Sequence, residues 1–235
     1  MTRAEQDEWV LVLETAVPQA SLCLAKGEEI VARETFESER SQEVDLFEPL
    51  QRILGQIPAG VALSELVVGT GPGSYNGARV GIAVAQAVGQ AQGCGGGSAG
   101  RMPTARGARV TGLCSFEGVA ELAGGGWAVG DARRGSFFRL RVDERGRVAG
   151  EAELLEAEEF ERFVEACAGE NLVTFESPER LPGKAGASVL EGTSTAEGLW
   201  RSWRGRTEGE RAEAAGRVLE AFYLRPPHIT KAKGK

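Results

Sequence analysis

Two stretches of this chain carry the same succession of signals, and that repetition restricts the fold more than any other feature. Residues 9–92 read as strand, strand, strand, helix, strand, helix, and residues 127–204 read in nearly the same order. In the first stretch, 9–13 (WVLVL) is a Val-rich apolar run with the look of a buried strand. Strands at 20–25 and 29–36 follow across short turns, so the three form an antiparallel meander. A helix at 41–54 has Ser41 as its N-cap. Its apolar face is Leu46, Phe47, Leu50, Ile53 and Leu54, and Pro49 must kink or restart it. A Pro/Gly loop at 57–64 leads to a strand that begins at 66–68. A helix at 78–91 follows, with Val80, Ala83, Val84, Ala87, Val88 and Ala91 at helical spacing.

The second stretch has strands at 127–131, 136–142 and 147–154, a helix at 156–168 and a strand at 172–175. A short strand at 187–190 and a helix at 195–204 complete it. Between the stretches lie a strand at 109–113 and a short helix at 115–123; a last helix is expected at 208–222. No residue-level repeat is visible. A meander followed by strand–helix alternation implies a mixed sheet flanked by helices. Two such units in tandem predict an α/β chain with two lobes and a cleft between them, the architecture of the actin/Hsp70/sugar-kinase superfamily. The expected division is an N-terminal lobe at 1–93, a Gly-rich insertion or linker at 94–107, a second lobe at 108–207, and a helix with a basic tail at 208–235.

Composition excludes several functions. Lys and Arg number 27 against 34 Asp and Glu, a net charge of −7. That argues against nucleic-acid binding by this chain alone through bulk phosphate neutralisation. No run approaches the ~18 apolar residues of a membrane span, and the polar residues 1–8 do not resemble a secretory signal. A cytosolic location is expected. The four cysteines, Cys23, Cys94, Cys114 and Cys167, show no CxxC spacing and read as reduced thiols. The single histidine, His228, lies in the tail, so neither a His-based metal site nor a histidine triad is expected.

Two motifs stand out. GTGPGSYNGAR, residues 69–79, joins a strand to a helix. It lacks the lysine of a phosphate-binding GxxxxGK[ST] loop and the last glycine of GxGxxG. The simplest reading is a tight connection in which the glycines allow close packing. Gly71, Gly73, Ser74, Asn76, Gly77 and Arg79 are the alternative, an anion, nucleotide or partner contact at a helix N-terminus. DARRG, residues 131–135, ends a strand. Asp131, Arg133 and Arg134 are either a solvated turn or a phosphate or partner contact. Glu14 ends the first strand, where a superfamily kinase keeps a Mg²⁺-facing carboxylate.

Taken in order, WVLVLET…ASLCLAKG, GTGPGSYNGARVGIAVAQAVG, GDARRGSFF and FYLRPPHITK resemble the TsaB (YeaZ) family, homologues of the TsaD (Gcp-like, peptidase M22-like) proteins. Family members typically show IDTST, GPGSFTGLRIG, DARRGEVY and YLRP. The resemblance spans the chain except 94–107. Glu14 replaces the usual Asp, Asn76 the usual Thr and Ala78 the usual Leu. Arg40 and Gln42 also depart from the family's usual pattern.

The resemblance implies a non-catalytic subunit of the machinery that makes threonylcarbamoyladenosine in tRNA. Such a subunit pairs with a TsaD-like catalytic subunit, with a TsaE-like ATPase joining them. It implies no catalytic residue, no metal and no cofactor of this chain's own; ATP use and tRNA contact belong to the complex. The helices at 41–54 and 78–91 would supply the partner face through the apolar residues named above. Two alternatives stand beside this: a nucleotide-dependent or peptidase-like enzyme using Glu14 and Asp131, and a homodimerising module.

Overall fold

A computed structural model describes residues 8–37, 46–94 and 108–224. The N-cap Ser41, the residues Arg40 and Gln42, most of the Gly-rich segment and the basic tail lie outside the described residues.

The first sheet has the order β3-β2-β1-β4-β5. Its strands are β1 (Trp9–Glu14), β2 (Gln19–Lys26), β3 (Glu29–Glu37), β4 (Glu65–Gly69) and β5 (Arg109–Leu113). β1 pairs antiparallel with β2 and parallel with β4, so it is central. Both of its faces are covered, which is why it reads as a continuous apolar run rather than an alternating one. Leu11 and Leu13 join Leu22, Leu24, Leu66 and Val68 on one face; Val10 and Val12 join Cys23, Ala25 and Val67 on the other.

The second sheet has the order β10-β9-β6-β7-β8. It comprises β6 (Gly126–Asp131), β7 (Ser136–Val142), β8 (Glu153–Glu156), β9 (Leu172–Thr174) and β10 (Leu190–Glu191). Read from β8, it repeats the first sheet strand for strand. Two antiparallel pairings are followed by two parallel ones in each. The duplication expected from the sequence is present in the topology, and the two-lobed α/β fold follows from it.

Helix α1 (Phe47–Leu54) and helix α2 (Tyr75–Cys94) cover one face of the first sheet. Pro49 is the third residue of α1, where its missing amide removes no helical hydrogen bond. Helix α3 (Ala157–Ala166) starts with a reciprocal Glu156/Glu159 capping box and packs Phe160, Phe163 and Val164 on the second sheet.

Helix α4 (Ala196–Arg204) changes the expected division of the chain. It follows the second sheet in sequence, yet Ala196, Leu199, Trp200 and Trp203 bury against Val10, Val12, Cys23, Val67 and Leu113 of the first. β5 also belongs to the first sheet, through its pairing with β4. The first lobe therefore extends past residue 108 and takes back α4, because the outer face of β1, β2 and β4 needs an apolar cover.

Other boundaries shift for local reasons. Residues 115–123 form two 3₁₀ turns, Ser115–Gly118 and Ala120–Leu122. The third strand of the second meander, expected at 147–154, lies instead at Glu153–Glu156, after Gly146 and Gly150 turn the chain with positive φ. Residues Ala185–Ser188 form a 3₁₀ turn before β10. Helix α5 (Glu208–Ala215) stops at Gly216, and 217–224 run on as a non-helical strap. Among the described residues no helix is long and apolar enough to cross a membrane.

Candidate functional site

The loop after β4 is shaped by what lies against it. A Cβ on Gly73 would sit 2.2 Å from the Ala16 carbonyl oxygen, and one on Gly77 would sit 2.0 Å from that of Thr15. The β1–β2 turn thus lies directly on the start of α2. Ser74 N–H donates to the Ala16 carbonyl at 2.6 Å. Thr15 Oγ1 donates to the Gly77 carbonyl at 2.8 Å, and Gly77 N–H donates to Ser74 Oγ at 3.2 Å. The glycines serve close packing, and these amides at the helix start already have acceptors.

Glu14 is fully buried. Its carboxylate accepts from Ser194 Oγ at 2.7 Å and from Ala16 N–H at 2.8 Å, and it fills the space a Cβ on Gly69 would need. Burial raises its pKa, against the lowering effect of these hydrogen bonds. The first-strand carboxylate is enclosed by protein, and the Ser74 and Gly77 amides beside it are paired.

The DARRG turn is strained. Arg133 and Arg134 have φ of 67° and 60°, and Gly135 follows at 75°. Each non-glycine residue there costs about 1–2 kcal/mol. Asp131 holds the turn by accepting from Arg133 N–H at 2.6 Å.

A cleft of about 670 Å³ between the lobes brings the two motifs together. Gly71, Gly73, Ser74, Asn76 and Gly77 line it on one side, Asp131 and Arg133 on the other. Arg79 and Arg134 do not line it. The structure adds residues that the sequence reading missed: Glu176 and Arg180 on the second-lobe wall, and Phe116, stacked on Phe175 with ring centroids 3.9 Å apart. Burial, then the Asp131 charge, raises the pKa of Glu176.

The start of α2 lines the cleft, and the rest of the helix runs on beyond it. Gly77, Ala78, Gly81, Ile82, Ala85 and Gly89 face the protein; Ala83, Gln86, Ala87 and Gln90 face outward. Val80, Val84 and Val88 pack against the core while remaining partly exposed. This twenty-residue helix contains one charged side chain, Arg79.

The corresponding expectation for α1 needs correction. Leu46, Leu50 and Ile53 are buried in the first core, and Leu54 packs against it. Their apolar stripe is spent inside the lobe. Only Phe47, 73% exposed, points outward from that set.

Comparison with known proteins places the architecture. YeaZ from Pseudomonas aeruginosa superposes with a TM-score of 0.64 at 20% identity, covering 92% of this chain and 99% of that one. A second structure, an uncharacterized Pseudomonas aeruginosa protein with similarity to peptidase YeaZ, gives 0.63 at 19% identity over the same shares. No protein-family model and no curated protein matches the sequence. The likeness is one of three-dimensional structure over nearly the whole of both chains, and on that ground this chain has the YeaZ fold.

Proposed function

We propose that this chain is a non-catalytic accessory subunit that binds a TsaD-like catalytic subunit of the tRNA threonylcarbamoyladenosine machinery, with a TsaE-like ATPase completing the assembly. The observation that carries the reading is the outward face of α2. In a chain with 26% charged residues, a solvated helix of this length carries charges along its outer side. Here that side is Ala83, Gln86, Ala87 and Gln90, edged by three valines. Depletion of charge is the mark of an interface core, and small side chains let a second helix approach closely. The YeaZ fold and the ordered sequence motifs agree with this reading. An enzyme using Glu14 and Asp131 has less support, because Glu14 is enclosed by Ser194, Ala16 and Gly69.

In this reading the chemistry, the ATP and the tRNA belong to the complex, and this chain contributes binding energy that holds the catalytic subunit in its working form. Reconstitution tests it. TsaD-like and TsaE-like proteins should modify tRNA well above background only when this chain is added; equal rates with and without it refute the proposal. Ala87→Glu places a charge on the exposed face without touching the core. It is expected to weaken co-elution with the catalytic subunit at least tenfold, about 1.4 kcal/mol, with an unchanged melting temperature.

A further inference from the structure

The sequence contains two tyrosines, 148 positions apart, and the fold sets them side by side on the surface. Tyr75 opens α2 and is 52% exposed; Tyr223 sits on the strap and is 43% exposed. Their ring centroids are 5.5 Å apart, tilted by 37°. The guanidinium of Arg79, one turn along α2, lies 5.1 Å from the Tyr75 ring centroid, and its Nη1 donates to the Tyr75 hydroxyl at 3.4 Å. Arg79 forms no ion pair among the described residues, whereas Arg33, Arg52, Arg139, Arg141, Arg147 and Arg206 each have a carboxylate partner.

The strap is fixed where it presents Tyr223. Phe222 N–H donates to the Thr70 carbonyl at 2.8 Å. Leu219 and Ala221 pack into the first-lobe core, Phe222 and Leu224 into the second. Tyr223 is thereby held against Tyr75 at the rim of the cleft, which both rings line while staying about half exposed.

We propose that Tyr75, Arg79 and Tyr223 form the anchor of the α2 interface, on which a partner protein seats an apolar side chain against the paired rings and a carboxylate against Arg79. The proposal rests on the accessory-subunit reading and adds the chemistry of the partner's contact. Three features support it. The patch is continuous with the outward side of α2 through Val80 and Ala83. Tyr and Arg are the residues that dominate interface energetics. The rings and the guanidinium already hold one another, so little conformational freedom is lost on binding. Arg79 is the one charge on α2, so it sets the sign of its complement.

The test uses the full-length chain and a purified TsaD-like subunit, with the dissociation constant measured at low and high salt. Arg79→Ala and Tyr223→Ala are each expected to weaken binding by about tenfold or more. Arg79→Glu should weaken it further than Arg79→Ala. Added salt should weaken the parent more than Arg79→Ala, because the ion pair is then already gone. Thermal melts control for folding; if Tyr223→Ala melts early, the exposed Arg79→Glu decides. If Ala87→Glu abolishes binding while Arg79→Glu binds like the parent with the same salt response, the anchor is refuted and the α2 face stands. If neither variant changes binding, both are refuted.

Discussion

Two carboxyl groups buried in the first lobe give this protein an uncommon pH signature. Glu65, at the start of β4, is 1% exposed, and one of its oxygens has no hydrogen-bond partner. Burial raises its pKa to about 7, although Arg109 beside it works in the opposite direction. Glu14 is raised by burial as well. A folded-state pKa above the unfolded value means that the native state binds protons the unfolded chain releases. The resulting stabilisation is complete below 4.5, the ordinary glutamate value, and is lost as pH climbs through about 7 for Glu65. Glu34, Glu170 and Glu197 are shifted down by their arginine partners. Glu210 falls to about 2, chiefly through the Thr207 amide and then Arg147. Those four act below 4.5 and leave the window to the upward-shifted Glu65, Glu14 and, in the cleft, Glu176. Urea midpoints measured between pH 4.5 and 7 should therefore fall as pH rises, and Glu65→Gln should flatten the decline. An identical slope in the variant would remove Glu65 as its source.

At the scale of elements, the cost of exposing the outer face of the first sheet falls on α4. Trp203 is fully buried there, with the Arg211 guanidinium 4.2 Å from its ring centroid. Trp203→Ala is expected to cost about 3–5 kcal/mol, measured by chemical denaturation. Trp203→Phe should cost much less, since the indole N–H has no acceptor to lose. The sequence made the strands readable because β1 and β4 are short, Val- and Leu-rich and bounded by turn residues. It also placed α2 and the loop before it. It did not show that α4 returns to the first sheet, because an apolar stripe names no recipient. Leu46, Leu50 and Ile53 illustrate the same ambiguity: helical spacing marks a buried face, and only packing tells core from partner. The cleft was half legible. GTGPGSYNG and DARRG were visible as motifs, while Glu176 and Arg180 sit in an irregular stretch without a pattern. The tyrosine pair left a faint signal, two rare residues each beside a noted motif, but their contact depends on the strap, which helical periodicity had assigned to the end of a longer helix.

At the scale of the whole molecule, the duplicated lobes are tied together by contacts that a freely hinged pair would lack. Ser194, in the connection that leaves the second sheet for α4, donates to Glu14 in β1, and within the first lobe Ser21 Oγ in β2 accepts from the Ala196 amide at the start of α4. Gly71 and Ser115 exchange hydrogen bonds across the connection. Arg147, in the turn after β7, reaches the Gly205 carbonyl and Glu210 beside α4 and α5. Glu117 pairs with Arg206, both nearly buried, with Ser202 completing the group. A subunit that works by presenting α2 and the strap in one fixed relation needs this rigidity; a lobe-closing enzyme needs the reverse. The protein should therefore unfold in a single cooperative transition, with amides of β1 and β6 exchanging at the same opening free energy. Arg206→Ala leaves Glu117 buried without its partner and should cost about 3–5 kcal/mol. In that variant, hydrogen exchange should show the two sheets opening at different free energies. Different opening energies for β1 and β6 in the parent protein would show instead that the lobes are independent and that these ties contribute little.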